Sequence, residues 1–347
     1  IWAIGTGIGK PSVALSEVGW TPENGLCMPQ LTAKKYQLTF IAGVTMKVDD
    51  INFKFFHINK WDNGEFKGDA ISTTSELVKI SSDGNLGLEE GQKFERGGIY
   101  RFTVDVTKGN TKAVLTVEKI GKVDLPAPDI FFGNDKMEVT DTDIYKSEQV
   151  FTQGQMITVT GIDNLNEWWI DPDFFEKQSD GALKFLPING DYRVTANAVL
   201  KYFSVMALKD GKPAKLQDDG TGAIWAIGKG IGKPSVTSSE VGWEPGKALC
   251  LAQVAPKKYQ LTLKAGETLK TSGDWEVISF KFFHQNDWGG EFGNYANSIL
   301  VEQLKLTDSG NLEMQDNKAF EEGAVYRFTI DVTNGNANAD LKVEKIN

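Results

Sequence analysis

Nine tryptophans, two histidines and two cysteines carry the most distinctive chemistry of this chain. A Ser/His/Asp mechanism needs a placed histidine. His57 and His284 instead stand beside strand phenylalanines in matching settings, KFFH and KFFH, where a structural role is expected. They are too far apart in sequence to make a good zinc set. Glycoside hydrolysis needs only two carboxylates across a cleft, and Asp62 with Glu65 is the nearest candidate pair. The second KFFH segment has Gly289 in place of Asp62 and retains only Glu291. A catalytic pair is therefore not expected, whereas a lone glutamate able to accept sugar hydroxyl bonds survives in both segments. Acidic turns such as Asp83 to Asn85 lack EF-hand spacing. Neither catalytic residues, nor a cofactor, nor a metal site is assigned.

The tryptophans are more informative. An aromatic plate can lie against the apolar face of a sugar ring while neighbouring polar groups bond its hydroxyls. Trp61, in NKWDNGEF, and Trp288, in NDWGGEF, have glycine and Asp/Asn neighbours that predict a turn or bulge and make burial on every side hard. Trp61 with Lys60 and Glu65, and Trp288 with Asp287 and Glu291, are the candidate ligand-binding sets. Lys60 is replaced by Asp287, so the two sets need not share one preference. Trp2 and Trp225 lie inside apolar strands and are expected in the core; Trp20 and Trp243 precede a proline turn and fit either role. In EWWIDP, the adjacent Trp168 and Trp169 point to opposite faces if extended, so at most one can reach one core. The other is assigned to a domain interface or binding surface, and both are kept as ligand-binding candidates.

These residues sit on a repeated framework. IWAIGTGIGKPS (1–12) returns as IWAIGKGIGKPS (224–235), and the same 223-residue register matches 29 of 43 positions between 1–43 and 224–266. The clustered glycines suggest a phosphate loop, but Pro11 and Pro234 follow the lysine where that motif needs Ser or Thr and then a helix. The expected reading is a strand-end bend that needs glycine torsions, a marker of the domain rather than a site. Phe53, Phe55 and His57 share one face of a period-two run, with Lys54 and Phe56 on the other. A four-residue insertion between Gly266 and Phe280 falls in a loop. Each copy closes with a long hairpin: Tyr100, Phe102, Val104 and Val106 on one face, a turn at 108–110, and a return through Leu115 and Val117, with its twin at 326–345. KVDLPAP (122–128) reads as a stiff linker. The middle segment has MITVTGI (156–162) as its expected core strand and a YR hairpin at 190–208 like those of the two copies. No helical periodicity of ten or more residues is present. The fold class is all-β: three tandem immunoglobulin-like β-sandwich domains at 1–121, 122–222 and 223–347, the first and third a close duplication.

Composition narrows the partners. The net charge is 37 minus 47, or −10, with Lys and Arg scattered among acids, which argues against nucleic acid or anionic lipid. No apolar run approaches the ~18 residues of a membrane span, and no leader with a cleavage site opens the chain. Because Ile1 corresponds to Ile224, well inside the copied unit, the chain is expected to be a fragment. Cys27 and Cys250 hold one repeat position and are expected to be two separate buried thiols.

The segments IWAIGxGIGKPS, EVGW, KFFH and DWGGEF, with EWWIDPDFF in the middle, resemble surface glycan-binding lipoproteins of the SusE/SusF type. More closely, they resemble uncharacterised β-sandwich families found beside such proteins in bacterial glycan-utilisation loci. The resemblance implies a non-enzymatic, multivalent polysaccharide- or oligosaccharide-binding protein. It implies an N-terminal lipid anchor, upstream of this chain, on the extracellular face of the outer membrane, near a glycan transporter. It also carries an aromatic platform with nearby Lys, Arg or acidic groups onto the Trp61 and Trp288 sets. The alternatives are a structural spacer or protein-interaction module, and an accessory region of a glycoside hydrolase.

Overall fold

The structure is a computed structural model that describes residues 1–61, 64–125, 127–141, 143–162 and 164–347. It is built almost wholly of strands, and its helices are single turns such as Val13–Ser16 and Val236–Ser239. By its contacts the chain divides into two compact units, residues 1–128 with 138–145 and residues 129–137 with 146–347. The middle and third expected domains thus share one unit. Residues 122–128 and 138–145, expected in the middle domain, belong to the first.

Each copy is a sandwich of two sheets. In the first, one sheet runs Glu17–Gly19, Trp2–Gly9, Asn52–Phe56, Leu86–Leu88, Val78–Ile80, with Leu26–Cys27 also pairing Trp2–Gly9. The other runs Gln30–Thr32, Lys35–Ile41, Gly98–Asp105, Ala113–Lys122, Ile71–Thr73, the last pair parallel. Alternation does what it should on Gly98–Asp105: Tyr100, Phe102 and Val104 are buried, and the residues between them are only partly covered. Phe53 of one sheet and Phe40 and Phe102 of the other meet in the core, with Phe40 and Phe102 edge to face at 5.3 Å. Lys54 and Phe56 are buried as well as Phe53 and Phe55, so this central strand is covered on both faces and not on one. The second copy repeats both sheet orders.

The glycine-rich segment is a strand, not a bend at a strand end. Gly5 and Gly228 have φ of 140°, and a Cβ there would lie 2.4 and 2.3 Å from the Cα of Phe53 and Phe280. Glycine is required because the neighbouring strand passes through the space a side chain would fill. The acid of each EVGW fixes the same strand: Glu17 accepts from the Gly7 amide and Glu240 from the Gly230 amide, both at 2.8 Å.

The middle module has one sheet in which Ile144–Phe151, Gly190–Asn197, Tyr202–Lys209 and Lys212–Pro213 lie in order. Phe132, Phe151, Phe175, Phe185, Phe203 and Tyr192 fill its core. The expected core strand 156–162 is broken into Met156–Ile157 and Val159–Thr160, which pair in different sheets, and Met156 is exposed. Its apolar run therefore overstated the strand.

Candidate functional site

The loop after each KFFH strand is short and pinned at its base. The His57 amide donates to the Gly64 carbonyl and the His284 amide to the Gly290 carbonyl, at 2.5 and 2.7 Å. Closing the loop there leaves its tryptophan on the rim. Trp61 is 52% and Trp288 51% exposed. Neither stands alone. Trp20 lies 6.3 Å from Trp61 between ring centroids with 31° between planes; Trp243 lies 6.4 Å from Trp288 at 24°. Behind them, Phe56 meets Trp61 edge on at 5.6 Å, and Phe283 meets Trp288 at 6.1 Å. The tryptophans of EVGW, which fitted either role, are thus half-buried partners of the rim tryptophans. Two indoles, tilted by 31° in the first copy and stacked at 24° in the second, over a phenylalanine form a preset apolar surface, and rigid aromatics lose little entropy when they bind.

The polar members are arranged differently in the two copies. Glu65 pairs with the buried Lys54 at 2.5 Å, so its charge is already balanced within the sandwich. Glu291 is exposed. Asp287 accepts from the Trp288 amide at 2.8 Å and Gln285 donates to the Trp288 carbonyl at 2.6 Å, which sets the tryptophan's backbone instead of reaching outward. Lys60 is exposed. Asp62 lies outside the described residues. Burial holds the imidazoles of His57 and His284 below their ordinary range, with Glu291 opposing this at His284. Each ring packs edge on against a phenylalanine, Phe66 at 4.1 Å and Phe292 at 4.3 Å. Among the described residues, no group of three or more His, Cys, Asp or Glu is placed to hold a metal ion.

Trp168 is closed to a ligand, whereas Trp169 is half-buried and lines a cavity with Pro172, Thr262, Lys264 and Glu267. Trp168 is 7% exposed and stacks on Phe203 at 4.6 Å, inside the middle module's core. Trp169 donates its indole N–H to Glu267 of the second copy at 2.7 Å. The two rings do point to opposite sides, and the second covers the junction of middle module and second copy. The remainder of EWWIDPDFF completes that junction. Lys233, from the second GIGKPS, sends Nζ to both oxygens of Asp171 at 2.8 and 2.7 Å and to Asp173 at 3.1 Å. Asp173 also accepts from the Thr262 amide and hydroxyl, both at 2.6 Å, and from Gln260 at 2.7 Å. All three charged groups are buried. Burial works against the charge on Asp173, but Lys233 and the Thr262 and Gln260 donors outweigh it and hold the carboxyl below its usual range. Burial pushes Asp171 up, with Lys233 opposing. The segment expected to be only a domain marker therefore supplies, in the second copy, the cation of a buried junction.

The cysteines depart from expectation. Cys250 is buried at this same junction, with its thiol pushed up to about 12 by burial, whereas Cys27 is exposed. In the second copy the middle module lies over this repeat position, with the Ala207 backbone beside the Cys250 thiol.

Residues 1–107 and 219–333 match the family profile of DUF5121, a domain of unknown function, and residues 89–216 match that of DUF5125, also a domain of unknown function. No curated protein matches the chain.

Proposed function

Because the chain belongs to the DUF5121 family, described as a domain of unknown function, chemistry must be read from the site, and we propose that it binds polysaccharide or oligosaccharide without catalysis. The observation that carries this reading is the tryptophan pair, built twice with nearly one geometry and with its outer ring half open to solvent. A hydrophobic ring pair at a loop rim fits the apolar face of a pyranose. Lys60 beside Trp61 and Glu291 beside Trp288 are the polar groups available to hydroxyls, which gives the two copies different selectivity. In line with the sequence resemblance, the protein would work at the outer membrane's extracellular face, anchored by lipid and holding glycan near a transporter of the SusE/SusF setting.

Affinity electrophoresis against a panel of soluble polysaccharides tests this. Retardation by at least one glycan, lost when Trp61→Ala and Trp288→Ala are combined, is the expected outcome. Unchanged mobility on every glycan, or full retardation of the double variant, would sink it. A spacer or protein-interaction role is the second reading, favoured by the buried Lys233 junction. It expects the rim tryptophans to be covered, and in this chain they are not.

A further inference from the structure

The junction around Lys233 has a counterpart in the first copy that is complete in residue type. Lys10, Pro11, Cys27, Gln30, Gln37 and Thr39 stand where Lys233, Pro234, Cys250, Gln253, Gln260 and Thr262 stand, and all six are identical. Lys10, Pro11, Cys27, Gln30 and Thr39 are exposed, while their five counterparts are buried. Other surface positions of the aligned stretch have diverged where nothing holds them, as Thr21 faces Glu244, Glu23 faces Gly246 and Thr32 faces Ala255, while exposed Lys35, which is unchanged, has an ion pair with Asp105 that Lys258 repeats with Asp331. Gln37 donates to Thr103 within its own sheet at 3.1 Å, which can account for its identity, but an exposed lysine, glutamine or threonine without such a bond has no physical reason to be held to one identity, whereas a set that must satisfy buried carboxylates does.

In the second copy the occupant is fully described. It is the Asp171-Pro172-Asp173 loop, together with the segment that leads into the Ile224 strand. Trp225 donates to the Ala214 carbonyl at 3.0 Å, and Tyr259 donates to the Gly220 carbonyl at 3.0 Å. We propose that the Lys10 face of the first copy is a docking surface for a β-sandwich module of the middle kind. That module is joined directly ahead of Ile1 and seats a paired-carboxylate Asp-x-Asp loop on Lys10, Gln37 and Thr39. A single cation flanked by neutral donors is complementary to two closely spaced carboxylates, one ion-paired and one held by hydrogen bonds. The rim sets a difference. Val44 replaces Glu267, the acceptor for Trp169, and Ile41 replaces Lys264. The docked module therefore presents an aliphatic or phenyl side chain, not an indole N–H, at the Trp169 position.

The test joins a duplicate of residues 122–223, carrying Trp169→Phe, ahead of Ile1 of the full chain. That stretch contains no cysteine, so thiol counting is clean. The parent chain is expected to show one thiol reactive with an aromatic disulfide, Cys27, and the extended chain none. Acetylation of Lys10 should fall at least tenfold. Asp171→Asn with Asp173→Asn in the appended module alone should restore both reactivities. Full reactivity of Cys27 and Lys10 beside a protease-resistant appended module overturns the proposal. If proteolysis shows that module unfolded, the peptide Glu167–Phe175 is added in excess to the parent chain. Carrying Trp169→Phe, it should slow Cys27 labelling with both aspartates present but not with both replaced, and equal rates overturn the proposal. Loss of Cys27 reactivity in the parent chain on raising its concentration would make the occupant a second copy of this chain, and the tandem assignment would fall.

Discussion

Single residues decide whether the tryptophan surface binds. Replacing Trp61 by alanine removes the outer plate while leaving Phe56 and the inner Trp20 in place. A loss of about 2 kcal/mol or more at that site is expected, the range of aromatic hot spots, and is read by titration calorimetry with a bound oligosaccharide. The cysteines give an independent check on the architecture. Native protein should titrate one thiol rapidly, at Cys27, and a second only after denaturation, because burial pushes Cys250 up to about 12. Two fast thiols would mean that the middle module does not cover the second copy. Much at this scale was legible beforehand. Trp61 and Trp288 could be placed at a rim because glycine and Asp/Asn neighbours cannot wall in an indole. Their pairing with Trp20 and Trp243 was not legible, since it depends on how two loops of one sheet edge converge. Cys27 was misassigned for a related reason, as a strand position alone does not tell which module, if any, lies over it.

At the scale of elements, one strand ending has two fates. Lys233→Met leaves Asp171 and Asp173 buried without their cation, which should cost about 3–5 kcal/mol. Lys10→Met should change stability by no more than about 0.5 kcal/mol, as for an ordinary surface position. Denaturant unfolding, with the two units followed as separate transitions, distinguishes them. The junction also titrates. Asp173 has a lowered carboxyl pKa, so its contribution is present above the unfolded value near ~3.9 and is lost as pH falls below it. Asp171, raised by burial, acts with the opposite sign, and a bare pH curve would mix the two. The difference in stability between the natural chain and Asp173→Asn isolates the first effect. It should be largest near pH 7 and shrink below about pH 4; a difference independent of pH would show that Asp173 is not charged in the folded state. Sequence could not foresee this junction. GIGKPS is the same string in both copies, and only the neighbour makes its lysine a buried ion.

For the whole molecule, duplication has consequences for avidity. If one polymer engages both copies, either single tryptophan variant should lose far more than half of the binding to a long polysaccharide, because linked sites can gain 10²–10⁴ in effective affinity. With a short oligosaccharide, each variant should halve the stoichiometry and leave the remaining site unchanged. Equal behaviour on long and short ligands would show that the copies act separately. The all-β class and the duplication were readable from alternation and from the 223-residue register, since both are patterns of spacing. The grouping of the middle module with the second copy in one compact unit was not, because it rests on a few buried polar contacts that leave no periodic trace.

The segment leaving the middle module touches more than the junction. The Leu216 amide donates to the carbonyl of His284, 2.8 Å away, at the base of the loop that carries Trp288. A load applied along the polypeptide would reach this hydrogen bond before it reached the sandwich. Stretching the connector would therefore tilt or free the Trp288 loop while the fold stayed intact.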